Sequence, residues 1–254
     1  MKKPRYLSIL FPDFGLGLLN KYLNMNKISI LFFIILLVGC RPSEDDWIEL
    51  FNGENFEGWH SYRAGENYDG WYIQDKVLTY DFQLSNASGN SYLVTDKEYK
   101  NFELSLEWMI SEHGNSGVFW GVVEDERYEY PYQTGPEIQI LDDDWTEYIE
   151  GRGDINRAGS LYNLMAPSVV VSKAAGIWNH FLIHIDHKEN IGFVKFNDRE
   201  VLRFPVHGPE WDAMIDKSAF AKWPAFGKAE TGHISLQEYG GKVAFKNIKI
   251  KILP

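Results

Sequence analysis

The chain has one cysteine, Cys40, in 254 residues, so no disulfide can form within it and no cysteine-rich metal site is available. Basic residues are scarce as well: 25 Lys and Arg stand against 36 Asp and Glu. Beyond Gly39 the counts are 20 and 35, a formal charge of −15. Such a surface repels phosphate backbones, and no nucleic-acid partner is expected. Long apolar runs are absent except for Ile28–Val38, ISILFFIILLV, which is short for a bilayer span. No internal repeat, low-complexity tract or interdomain linker stands out, and helical periodicity is almost confined to Pro209–Phe220. Aromatic residues are abundant, at 15% of the chain with nine Trp. Rings and acids together point to carbohydrate, whose C–H faces stack on aromatics while its hydroxyls seek polar partners.

The apolar run has the order of an export signal. Met25-Asn26-Lys27 precedes it and Gly39-Cys40 closes it, a positive, apolar, small-residue sequence. LVGC resembles the bacterial lipobox, in which the cysteine is acylated and becomes the first mature residue. Cys40 is therefore the expected lipid anchor, the membrane an expected partner, and the outer membrane of the cell envelope, facing the periplasm or the surface, the expected address. Residues 1–24 read as an over-extended start ahead of Met25, and 25–39 as the signal peptide. Residues 40–46, with RPSEDD, resemble the acidic tether of Bacteroidetes lipoproteins. Residues 47–254 remain for a single domain, long enough for a sizeable core.

That domain reads as strand after strand. Phe102–Ile110 alternates, with Phe102, Leu104, Leu106 and Trp108 on one side. Ser116–Val123 is mostly apolar, as for a strand covered on both faces. Trp178–His187 turns Phe181, Ile183 and Ile185 inward, with His180, His184 and Asp186 outward. Asn197-Asp198 predicts a hairpin turn, and two more strands flank Gly240-Gly241. The pattern predicts an all-β jelly-roll sandwich of two antiparallel sheets with few short helices.

One strand raises a chemical question. In GPEIQILDDD, Gly135–Asp144, Ile138 and Ile140 face one way and Glu137 and Gln139 the other. Asp142 should point away from Glu137 unless a bulge restores the face. The plain reading is an exposed polar face ending in an acidic turn. That turn is also a candidate for a divalent metal, because oxygen ligands are dense there, although no EF-hand spacing supports it.

Further motifs change the weighting. FNGENFEGW, GNSGVFWG, TGPEIQILD, AGSLYNL, GIWNHFLI, FNDREV and GHISLQEYGGKVAFKNIKI follow one another in this order. The series resembles the 3-keto-disaccharide hydrolase domain family over residues 47–253. The resemblance implies a concanavalin A-like sandwich and activity on glycosides whose sugar is oxidised to a ketone at carbon 3. By position it implies roles for Asn115, Glu137, Gln139, Asp142, Tyr162, Asn179 and Gln237, with Arg157 also matching. The family usually shows a histidine in the last motif where this chain has Tyr239 in LQEYG, and a histidine upstream of Arg157 is missing. Any step that needs those imidazoles is in question for this chain.

The implied chemistry suits these side chains. A 3-ketone acidifies the hydrogen on carbon 2, so the site needs a base, a donor for the enolate oxygen and an acid for the departing oxygen. Glu137, Asp142 and Tyr162 are the candidate acid–base groups. Asn115, Gln139, Arg157, His233, Gln237 and Tyr239 are candidate substrate contacts, and Trp120 and Trp145 candidate stacking surfaces. Two alternatives stay open: a non-catalytic carbohydrate-binding module on the same fold, and a conventional retaining glycosidase. The latter needs two carboxyl groups about 5 Å apart, which Gln139 in the motif argues against.

Overall fold

The stretches read as strands from their alternation form a two-sheet sandwich. The structure is a computed structural model that describes residues 46–86 and 91–254. Cys40, the signal and nearly all of the tether lie outside the described residues. Trp47–Pro254 forms one unit.

Thirteen strands are described: β1 Trp47–Glu49, β2 Trp59–Ser61, β3 Trp71–Gln74, β4 Val77–Asp81, β5 Leu93–Tyr99, β6 Phe102–Ile110 and β7 Asn115–Val122. They continue with β8 Glu137–Leu141, β9 Asn179–Asp186, β10 Ile191–Phe196, β11 Arg199–Phe204, β12 Gly232–Leu236 and β13 Lys242–Ile252. One sheet runs β11-β10-β9-β6-β13-β4-β3, with β1 also paired to β13. The other runs β2-β5-β12-β7-β8. Every pairing is antiparallel.

The alternation fixes which side chains meet between the sheets. Val118, Ile138, Ile140, Ile234 and Leu236 of the smaller sheet pack in one core with Leu104, Leu106, Phe181, Ile183 and Phe245 of the larger. Each fully buried side chain of this size contributes roughly 1.5–3 kcal/mol, so a one-residue slip of β8 would be costly. On β9 the odd positions from Asn179 to Ile185 are buried and the even ones half-exposed. His180 there lies 2.9 Å from Ser105 Oγ, and His184 stacks on Phe193.

The turns follow local chemistry. Asn197 and Asp198 both have positive φ, 46° and 66°, as a two-residue hairpin between β10 and β11 requires. The periodic stretch after residue 207 is a helix over Gly208–Asp216 followed by a 3-10 turn over Ala219–Lys222. Ser218 separates them, donating to Ile215 O and accepting from Phe220 N–H. An earlier helix, Thr146–Arg152, has no counterpart in the apolar periodicity. These are α1 (Thr146–Arg152) and α2 (Gly208–Asp216).

Candidate active site

The outer face of the smaller sheet carries the polar half of the same alternation. Cross-strand partners share a face, so Glu137 opposite Phe119, and Gln139 opposite Gly117, look outward together. Asn115 joins them from β7, and Gln237 follows from β12, where its N–H donates to Gly117 O. β8 is the edge strand of its sheet, yet all five of its residues are buried. The loop after α1 covers it: Gln139 N–H donates to Ser160 O, and Tyr162 N–H to Glu137 O. That strap turns an open sheet edge into a cleft wall and places Tyr162 beside Glu137.

The cleft has a volume of about 330 Å³. Glu137, Gln139, Asn115 and Gln237 form its floor, while Tyr148 and Arg152 of α1 and Phe220, Lys222 and Trp223 of the 3-10 turn wall it. Tyr92, Tyr132 and Tyr239 close the remaining side. Beside the floor, Tyr92 and Phe119 belong to a small apolar cluster separate from the main core.

Glu137 is 6% exposed. Desolvation pushes its carboxyl up to about 8. With the Gln139 amide turned to satisfy its neighbours, the amide nitrogen donates to Glu137 Oε1 and to Ser116 O, each at 3.0 Å. One carboxyl oxygen is thus held, and the other is the one a substrate can engage. Gly117 makes this arrangement possible: a side-chain carbon there would overlap Glu137 Oε1. The glycine of NSG is therefore a space requirement of the carboxyl group lying over it.

The other polar groups are arranged around that carboxyl. Asn115 Nδ2 donates to Tyr148 Oη at 3.2 Å, and the Arg152 guanidinium lies 4.1 Å from the Tyr148 ring. Burial, reinforced by Tyr148 and Glu137 nearby, raises the Tyr162 hydroxyl far above its ordinary value, so it is a proton-bearing donor at neutral pH. Tyr92 is raised for the same reason, with Glu238 and Glu137 adding to it. Among the described lining residues Glu137 is the one acid, facing two cations, Arg152 and Lys222.

Other candidates lie elsewhere. Asp142 is buried off the cleft, accepting from His113 N–H at 2.8 Å and Asp144 N–H at 3.2 Å. No bulge carries it round to Glu137, and its oxygens hold the turn. Asp143 accepts from Ala158 N–H and Ser172 Oγ, so the carboxylates of the acidic turn splay towards separate partners. Among the described residues no group of three or more His, Cys, Asp or Glu is placed to hold a metal ion. Arg157 is outside the cleft, paired to Asp154 at 2.6 Å.

Trp120 is 4% exposed and packs on Phe204 in the core, so it offers no stacking surface. Trp145 is half-buried between His113 and Tyr148, where it backs the cleft wall and is not an open platform. His233 keeps the face of Ser235 and Gln237, since Ile234 and Leu236 between them are buried in the core, but it stands near the start of β12, beyond the cleft. Its Nδ1 lies 2.6 Å from Thr95 O, away from the cleft. Asn179 is also remote, bonded to Lys173 N–H and Asn197. Tyr239 lines the cleft rim at 57% exposure.

Tyr148, Arg152, Lys222, Trp223, Tyr92 and Tyr132 were not legible as site residues. Most sit on short helices and turns, whose approach to a sheet face leaves no periodic trace.

Residues 46–251 match the 3-keto-alpha-glucoside-1,2-lyase-like domain family. The chain is 29% identical over 232 residues to a 3-keto-disaccharide hydrolase of Bacteroides thetaiotaomicron, covering 82% of this chain and 79% of that one. A solved structure of a candidate glycosyl hydrolase from Parabacteroides distasonis superposes with a TM-score of 0.74 at 29% identity. It covers 83% of this chain and 95% of its own. A Bacillus subtilis protein of unknown function with a galectin-like fold, 10% identical, aligns with a TM-score of 0.51 over 81% of this chain and 94% of its own, a likeness of fold alone.

Proposed function

The chain belongs to the 3-keto-alpha-glucoside-1,2-lyase-like domain family, and on that premise we propose that its cleft cleaves 3-keto-glycosides by elimination and hydration. The observation that carries this is a single desolvated carboxyl group, Glu137, held by Gln139 and faced by neutral donors and two cations. A retaining glycosidase needs a second carboxyl group across the scissile bond. The cleft offers none among its described lining residues. The similarity to the 3-keto-disaccharide hydrolase supports the same reading.

In this mechanism the ketone at carbon 3 makes the carbon-2 hydrogen acidic. Glu137 either takes that proton or protonates the departing oxygen. Electrons of the C2–H bond pass through the enolate, form the C1–C2 double bond and expel the oxygen on carbon 1, which leaves with a proton. Water then returns a hydroxyl to carbon 1 and a hydrogen to carbon 2. The Tyr162 hydroxyl, the Asn115 and Gln237 amides and the Arg152 and Lys222 charges are the groups available to the enolate oxygen. None of these steps uses an imidazole, so Tyr239 in place of histidine does not block the route.

The test is turnover of the purified domain on 3-keto-glucosides beside their unoxidised parents. Release of the leaving group from the keto compounds alone is the expected result. Cleavage of the unoxidised parents at equal rate, or of neither series with retained sugar binding, overturns the reading, the latter in favour of a binding module. Export as a lipid-anchored envelope protein is part of the proposal, supported by the order of residues 25–40. Cys40→Ser is expected to move the protein out of the membrane fraction, and an unprocessed variant that stays there refutes the anchor.

A further inference from the structure

A second cleft opens beside the first and shares a wall with it. Its volume is about 560 Å³, and Tyr92, Tyr132 and Tyr239 line both. Glu238 and Tyr130 line the second alone. Glu238 is 8% exposed, and Oε1 accepts from Ser91 N–H at 3.1 Å. Its Oε2 is buried without a hydrogen-bond partner among the described residues. Such a group is costly to leave unpaired and calls for a partner that the described residues do not supply. Beside it Tyr130 and Tyr132 stack with ring centres 5.0 Å apart, both half-exposed.

We propose that this second cleft is the subsite for the leaving-group ring, a neutral polyhydroxylated sugar held by Glu238 and lying against Tyr130 and Tyr132. The proposal rests on the first cleft being the site of cleavage. Three observations fix the chemistry. No lysine or arginine is among the described lining residues, so a uronate or sulfated ring would find no counter-charge. Burial pushes Glu238 up to about 8, so at neutral pH it is an uncharged acid able to donate to a hydroxyl. The shared tyrosine wall places the two clefts side by side, as two linked rings require, with Glu137 in the first.

The experiment compares kcat/KM on two substrates. One is the fastest of the 1,1-, 1,2- and 1,4-linked 3-keto-diglucosides, and the other is methyl 3-keto-α-glucoside, which lacks the second ring. A preference of about tenfold or more for the diglucoside is expected, the worth of one or two hydrogen bonds and a stacked face. Glu238→Ala and Tyr130→Ala should each erase it through KM while changing the methyl glycoside by less than about threefold. Because Tyr130 is half-exposed, its variant stands as the control if Glu238→Ala fails to fold. Equal losses on both substrates, or no preference in the parent, overturn the subsite. If neither keto compound is cleaved, the cleavage reading fails by itself, and calorimetric Kd values for the plain diglucoside and methyl glucoside judge the subsite. Tighter diglucoside binding that both variants abolish supports it, and equal Kd values overturn it.

Discussion

Glu137→Gln is expected to lower kcat on a 3-keto-glycoside by about 10²–10⁴-fold, the usual cost of losing general acid–base catalysis. The substitution keeps the shape and hydrogen-bonding reach of the side chain. The amide can still meet Gln139, so a folded variant by circular dichroism is expected alongside the loss. The pH profile then separates the two roles open to Glu137. Its carboxyl is pushed up to about 8 by burial. If it is the base, kcat/KM rises with pH towards that value and levels beyond it. If it is the acid, activity is full below that value and falls above it. In Glu137→Gln the corresponding limb disappears. Wild-type turnover in a folded Glu137→Gln protein would make the carboxyl group a bystander and leave the cleft without an acid or base of suitable strength.

The sheet face was legible because a strand obeys a period of two. Alternation put Glu137 and Gln139 on one side of their strand, the motif resemblance brought in Asn115 and Gln237, and the pairing of three neighbouring strands gathers all four on one floor. Two candidates on or beside these strands miss the floor without breaking the rule: His233 shares the face but lies beyond the cleft, bonded to Thr95 O, and Asp142 points away from Glu137 with its oxygens taken by the turn. Of the walls, Tyr162 and Tyr239 were reached through the motifs and the rest was not legible. Tyr148 and Arg152 come from a helix of seven residues, and Lys222 and Trp223 from a 3-10 turn and its end, pieces too short to carry a periodic signature. Motif order identified the family where periodicity was silent. The free energy cost of burying Glu137 and Glu238 is a property of the assembled surroundings, which no local pattern records.

That cost makes stability depend on pH in a definite direction. Glu137 and Glu238 are each raised from 4.5 to about 8, mainly by desolvation, with the Ser91 N–H opposing the shift at Glu238. Between these values the folded chain keeps protons that the unfolded chain releases. Their contribution to stability is therefore fully present below about 4.5 and is lost as pH rises through about 8, at up to roughly 1.4 kcal/mol per pH unit for each group. Other groups titrate in the same window. His180 and His187 are lowered by burial and work in the opposite sense, and His60, raised by Glu124 and Asp96 against its desolvation, works in the same sense. A single melting curve cannot apportion these, but a difference can. The Glu137→Gln/Glu238→Gln double variant removes both titrations and leaves the histidines in place. Its unfolding free energy relative to the parent, measured in urea at half-unit steps from pH 4.5 to 8.5, is expected to rise steadily. Each single variant should supply part of that rise, because the two carboxyl groups occupy different clefts. Parallel stability curves across the whole range would show that neither carboxyl group is held neutral by the fold.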